Sequence, residues 1–359
     1  VHTPLVPKAL LAGTESAGSA APLGCFDRPA LWQNSVDYLL GMQHQNGAFY
    51  DSDYDYGGTD SLPNVHVAVT SLAGWALLKA YHQPQFQARR DELKSAIDRA
   101  LLFAIDDANV NKVDRDEILW AYAYRLRFLN ACLQSTSYSP PIQKPQANLA
   151  HLVQSLESVQ SRRGSWYHEY NNPFVTATAL VALREAAELS APVQSDVLAK
   201  GTANLASERF ANGAFPYGSS RQPPRETPPG TPKQLAASAG RMPLCELALL
   251  LGEQSTAERL VEAVDQSLNL HANLDSALKY DNHTSNLAYG GFFFWYDMRS
   301  RSEAISKIAD PQLRQQHAER QNELILKLPE LDGCFVDSHE LGRVYGTAMA
   351  LLSFCLLYT

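Results

Sequence analysis

Hydrophobic and polar positions along this chain follow two helical registers, and the registers take turns. In the first, apolar residues recur every three or four positions with charges between them, as at Leu93, Ile97, Leu101 and Leu102. This register predicts amphipathic helices over 30–44, 86–105, 146–159, 193–206, 255–270 and 310–328. In the second, nearly every face is apolar, with small residues and scattered aromatics. It predicts buried helices over 65–81, 116–133, 174–189, 233–251, 285–305 and 343–358. Six such pairs bury their apolar members most simply as a ring inside a ring. The expected fold is all-α, an (α/α)6 toroid of six outer and six inner helices. An open helical solenoid is the rival, but it leaves uncapped ends that a closed ring avoids. No linker-like change of composition divides the helices. We expect one toroid domain over 29–359, preceded by an extended strap over 1–28 rich in Ala, Gly, Ser, Thr and Pro.

Tight turns punctuate the pairs. Gln43 leads into Asn46-Gly47-Ala48-Phe49, and weaker versions return at Arg163-Gly164-Ser165-Trp166, Asn212-Gly213-Ala214-Phe215 and Asp332-Gly333-Cys334-Phe335. The glycine suits a turn that needs positive φ, and the following aromatic can fill the gap between neighbouring hairpins. A unit recurring every ~40–50 residues is the mark of a repeat architecture. The loops over 48–64 and 216–232 are long and polar. Loops of such length in a compact domain are commonly functional.

Composition narrows the classes. The 359 residues are 45% hydrophobic and 19% charged, which supports a large core and excludes a disordered chain. Net charge is −8 and the pI about 5.7, which argues against nucleic-acid or anionic-membrane partners. No run approaches the ~18 apolar residues of a membrane span. The chain starts at Val1 in place of Met, so we expect that an N-terminal piece, such as a signal peptide, has been removed. Cys132, Cys245 and Cys355 sit in apolar helical stretches and read as small buried hydrophobes. Cys25 and Cys334 complete a dispersed set that does not define a compartment.

The Gln-x-x-Asn-Gly-x-Phe turn followed by an Ala-, Thr- and Leu-rich helix resembles the repeat of terpenoid cyclases and protein prenyltransferase β subunits. The closing run from Tyr345 to Leu352 is similar to the end of bacterial prenyltransferase and squalene-oxidase repeat proteins. The resemblance covers roughly 30–358 and implies an α/α toroid, a fold that also serves binding proteins and polysaccharide lyases. It implies activity only where catalytic motifs match. The Asp-x-Asp-Asp acid of the cyclases has no counterpart, since the matching stretch from Asn172 to Ala177 holds no carboxylate. The prenyltransferase zinc set is echoed only by Asp332, Cys334 and His339, on one short segment that supplies converging ligands poorly.

Other candidates come from the residues themselves. Asp51, Asp53 and Asp55 alternate like a calcium loop, but Tyr56 stands where an EF-hand needs glycine and no Glu closes the loop. No other cofactor is expected. His66, Glu117, His168-Glu169, His283, His339, Glu340, Arg241, Arg343 and Tyr345 fall near the starts of apolar helices. There they would form a polar ring at one mouth of the toroid. From this ring His66, Glu117, His339, Glu340, Arg343 and Tyr345 are the catalytic candidates. Helix starts also favour polar caps, which is the plainer role for all of them. Trp75, Trp120, Tyr124, Phe293 and Trp295 are expected to line an aromatic central cavity. With both family motifs missing, the leading expectation is a non-catalytic interaction subunit with a protein partner. The alternatives are an enzyme or binder for an apolar, isoprenoid-like small molecule, and a carbohydrate-active toroid.

Overall fold

The computed structural model describes residues 26–54, 61–219, 227–275, 277–279 and 293–357. Twelve long helices stand in pairs among these residues. α1 (Arg28–Met42) and α2 (Leu62–Tyr81) form the first pair, and α3 (Arg90–Ile105) and α4 (Ile118–Gln134) the second. α5 (Pro145–Ser158) and α6 (Pro173–Glu188) follow, then α7 (Ser195–Ser207) and α8 (Met242–Leu251). The circuit ends with α9 (Ala257–Asn269) and α10 (Phe294–Ser306), then α11 (Pro311–Ile325) and α12 (Gly342–Leu356). Half of the twelve begin with proline in the first two positions, where a missing N–H costs nothing.

The even-numbered helices form the inner ring. α2 packs on α4, α4 on α6, α6 on α8, α8 on α10, α10 on α12, and α12 returns to α2. The ring is closed, and the open solenoid is excluded. Sixteen of the twenty residues of α2 are buried, Leu72, Ala73, Ala76 and Leu77 completely. Gly74 makes the α2–α4 approach possible, because a Cβ there would lie 2.5 Å from the Phe128 ring. The odd-numbered helices bury one stripe only. On α3, Leu93, Ile97 and Leu101 are inside, whereas Leu102 is 47% exposed, so the stripe is narrower than its sequence suggests.

Each of the four repeat turns is built alike. Gly47, Gly164, Gly213 and Gly333 have φ of 92°, 92°, 85° and 81°. The N–H of the following aromatic donates to a hydroxyl on the next inner segment: Phe49 to Thr70, Trp166 to Thr176, Phe215 to Ser238 and Phe335 to Thr347, at 2.9–3.1 Å. Gln43 and Gln160 bridge from the turn carbonyl to the next outer helix, through Ala96 O and Val197 O, both at 2.9 Å. The last turn repeats this across the seam, where Asn34 on α1 donates to Asp332 O at 3.0 Å. Asp51 also closes the seam. Its carboxylate accepts from Val344 N at 2.8 Å and so caps α12.

Three predicted elements differ in extent. The 86–105 helix opens with a separate 3-10 turn, Pro84–Arg89. The 233–251 helix is split into a short helix, Pro232–Ala236, and α8, because Pro243 restarts the backbone ladder. Within 285–305, α10 starts at Phe294, and the residues over 280–292, including His283, lie outside the described set. α10 is not apolar all round. Asp297, Arg299, Arg301 and Glu303 are all buried on it. Asp55, and the strap up to residue 25, also fall outside the described residues. No described helix is long and apolar enough to cross a membrane.

Candidate functional site

The starts of the inner helices meet at one end of the rings. Between them lies a cavity of about 40 Å³, lined by Tyr54, Leu72, Glu117, Trp120, Tyr124, Phe293, Tyr296 and Tyr345. Such a volume holds a few waters. Its walls are aromatic rings packed on one another. Trp120 stacks on Tyr124 with centroids 5.9 Å apart and meets Tyr296 edge-on at 5.7 Å, and Tyr54 meets Phe293 edge-on at 5.6 Å. Tyr296 is further pinned by Thr178 Oγ1 at 2.7 Å. Burial pushes the Tyr124 phenol up to about 12 and those of Tyr296 and Tyr345 well above the usual range, so all three keep their protons.

Among the described residues, Glu117 is the one acid on this wall. It sits at the residue before α4 and makes no capping hydrogen bond with its side chain. Capping belongs to Asp114, whose carboxylate accepts from Asp116 N at 2.9 Å and from the Asn64 amide at 2.7 Å. Glu117 is 2% exposed. Burial first, then Asp114, Glu169 and Asp116, raise its pKa well above the carboxylate range. Among the described residues, no cation is one of the groups that shift it. The enclosure thus favours the protonated form of the Glu117 carboxyl.

His168 lies beside it, fixed by a small hairpin. Tyr167–His168 pairs with Tyr170–Asn171 in antiparallel register, with His168 opposite Tyr170. Strand alternation turns His168 inward, 1% exposed, and Tyr167 outward. Glu169 is the hairpin apex and adopts φ 56°, a left-handed conformation uncommon away from glycine. His168 Nδ1 is within reach of the Trp120 indole N–H at 3.2 Å, Asp116 O at 3.0 Å and Glu117 Oε1 at 3.3 Å. Its Nε2 is 3.5 Å from Glu169 Oε1. Nδ1 thus faces one donor and two acceptors, so either tautomer finds a partner. Burial and the Asp116 charge push Glu169 up to about 7, against a hydrogen bond from Tyr54. Glu117, His168 and Glu169 present ligand atoms within 4.8 Å of one another, a spacing that also suits a metal ion.

The predicted residues divide between sites. Glu117, Tyr345, Trp120, Tyr124 and Phe293 converge on the central cavity. Trp75 is at the opposite end of the rings, under the guanidinium groups of Arg127 and Arg299. Trp295 points into the wall, donating to Val336 O at 3.1 Å and meeting Phe335 at 5.1 Å. His66 is drawn to the 51–53 loop, with Nε2 3.1 Å from Ser52 O, and burial lowers its pKa. Arg343 pairs with Asp332 at 2.5 Å and covers Tyr38. His339 and Arg343 line a seam cavity of about 630 Å³ with Asp51 and Asp53. The Glu340 carbonyl accepts from Asp53 N at 2.8 Å there. Asp51 and Asp53 therefore hold backbone together at the seam. Sequence placed His168 and Glu169 in the mouth ring without singling them out. Tyr54 and Asp114 were not anticipated, because nothing in their local pattern distinguishes them from loop polar groups.

No protein-family model and no curated protein matches the chain. Solved structures do. An inactive variant of the alpha-1,6-mannanase GH76A of Salegentibacter sp., in complex with alpha-1,6-mannotetrose, aligns with TM-score 0.55 and 11% identity over 92% of this chain and 100% of that one. A variant of a type II terpene cyclase from Scytonema, in complex with geranylgeranyl dihydroxybenzoate, aligns with TM-score 0.51 and 11% identity over 92% and 98%. This chain is an α/α toroid. The likeness reaches the fold of a terpene cyclase, which agrees with the repeat resemblance, and equally that of a glycan-cleaving enzyme. At such identity it extends to the fold alone.

Proposed function

We propose that this toroid is a general acid–base enzyme acting on a small neutral or cationic substrate at the mouth of the central cavity, and that it is a divergent member of the prenyltransferase and squalene-oxidase repeat group. The observation that carries the reading is Glu117: 2% exposed, on the cavity wall, with burial and three neighbouring carboxylates raising its pKa. Burying an acid without a compensating cation is costly, and such perturbed groups cluster at functional sites. Glu117 donates its proton to the substrate. Glu169, which reaches solvent and titrates near 7, passes a proton to His168 Nε2. His168, 3.3 Å from Glu117 Oε1 and 3.5 Å from Glu169 Oε1, would hand one on to Glu117 once both contacts close to hydrogen bonds. The acidic surroundings oppose an anionic substrate such as a diphosphate.

Neither alternative in substrate fits as well. An isoprenoid chain exceeds a cavity of about 40 Å³. Glycosidase carboxyl pairs stand about 5–5.5 or 6.5–9.5 Å apart around a sugar bond. Between Glu117 and Glu169 stands His168, 3.3 and 3.5 Å from their nearest oxygens, where the sugar bond would have to lie. The second reading is the non-catalytic interaction subunit, and the small cavity favours it. Incubation with pooled small metabolites in D2O, followed by mass spectrometry, separates the two. The enzyme reading predicts consumption or deuterium uptake by wild type, loss with Glu117→Gln, and slowing with Glu169→Gln. Inertness of wild type, together with a stoichiometric co-purifying protein, would establish the interaction subunit instead.

A further inference from the structure

The opposite end of the rings holds a second cavity, about 530 Å³, where the C-terminal ends of α2, α4 and α10 converge. Lys79, Arg127, Arg299 and Lys307 line it, with Glu185 and Glu303 as the counter-charges. Arg127 occupies both carboxylates. Its Nε and Nη2 hold the two oxygens of Glu185 at 2.9 and 2.6 Å, and Nη1 and Nη2 reach Glu303. Arg299 is left with a single bond, Nη1 to Glu303 Oε2 at 3.2 Å. The residue is 3% exposed, and its guanidinium lies 4.7 Å from the Trp75 ring centroid. Among the described residues, Nε and Nη2 of Arg299, both closed to solvent, meet no hydrogen-bond partner, and neither does Trp75 Nε1.

The two bare nitrogens of Arg299 form one edge of the fork. That edge reads paired oxygens side-on, as Arg127 does with Glu185. Leaving it buried and unbonded costs free energy that an incoming oxyanion would recover. The plainer explanation is that these cations neutralise helix C-termini. It suits Lys79 and Lys307, which sit at the last turn of α2 and just after α10. It does not suit Arg299, two turns inside α10, because the dipole effect fades beyond the final turn.

We propose that this cavity is an oxyanion site, in which a carboxylate or phosphate group of a small ligand docks side-on against Nε and Nη2 of Arg299, with Lys79 and Lys307 at the rim. The experiment is calorimetric titration of the whole chain with inorganic phosphate, pyrophosphate and citrate, each against chloride at matched ionic strength. Saturable binding of at least one anion, with Kd below ~1 mM, is expected, and the anion that binds best distinguishes phosphate from carboxylate chemistry. Arg299→Lys keeps the charge and loses the fork, and should weaken binding about tenfold. Lys307→Met, outside the helix on the rim, should weaken it about threefold and decides the matter if Arg299→Lys does not fold. Glu117→Gln should bind the anion as wild type does, so failure of the acid–base reading leaves this site standing. Absence of saturable binding up to ~10 mM, or binding that Arg299→Lys and Lys307→Met leave unchanged, would overturn it.

Discussion

At Glu169, burial and the neighbouring Asp116 carboxylate lift the carboxyl to about 7. An unfolded glutamate titrates near ~4.3. Between roughly pH 4.5 and 7 the folded protein therefore holds a proton that the unfolded chain has lost. The stability this contributes is present below that window and disappears as pH rises through it. Glu169→Gln cannot lose that proton. Urea denaturation should show it more stable than wild type at pH 8 by about 1 kcal/mol, discounted for its partial exposure, and no more stable at pH 4. Glu117→Gln swaps a neutral acid for an amide of the same shape and should leave the fold intact at pH 7. The sequence placed Glu117, His168 and Glu169 at one mouth, because all three precede apolar helices. It could not show that Glu117 goes inside while Asp114 takes the cap, since both carboxylates precede α4 within four positions. Which one turns inward depends on Asn64, from another pair.

Four of the six helix pairs share one device, a glycine turn and a hydroxyl receiving the next aromatic's N–H. At Gly164 a Cβ would lie 2.3 Å from Lys200 O, and φ is 92°. Gly164→Ala should lower stability by about 2–4 kcal/mol, the strain and the backbone clash acting together. Gly41, within α1, has nothing within 4 Å, and Gly41→Ala should raise stability by about 0.5–1 kcal/mol. Thr176→Val strips the Trp166 N–H of its acceptor in a buried setting and should cost about 1–3 kcal/mol. Thermal or urea unfolding of the three variants checks this ranking. The glycines and aromatics were legible because they repeat as adjacent letters. Their hydroxyl partners were not, because Thr70, Thr176, Ser238 and Thr347 lie 21, 10, 23 and 12 residues beyond the aromatic. α10 defied its pattern for another reason. Arg301 finds Gln321 and Ser267 on the flanking outer helices α11 and α9, partners that make a buried charge tolerable and that periodicity cannot reveal.

The double ring makes the local chemistry possible. Closure through α12 and α2 brings the aromatic wall together around Glu117 and leaves it 2% exposed. Because α12 touches both α10 and α2, removal of residues 342–359 should open the ring and abolish one cooperative transition, rather than delete one repeat as in a solenoid. Circular dichroism melting of the truncated chain should be broad or already unfolded at 25 °C, whereas a sharp transition would point to independent repeats. Helix count and order carried the closed ring in the sequence, while the small size of the cavity depends on how Trp120, Tyr124 and Tyr296 pack together. The central claim is that this enclosure keeps Glu117 protonated. Infrared difference spectroscopy of wild type against Glu117→Gln at pH 7 tests it directly. A protonated carboxyl C=O band present in wild type and missing from the variant is the predicted result. A spectrum at pH 7 in which Glu117 contributes only carboxylate bands would contradict the account.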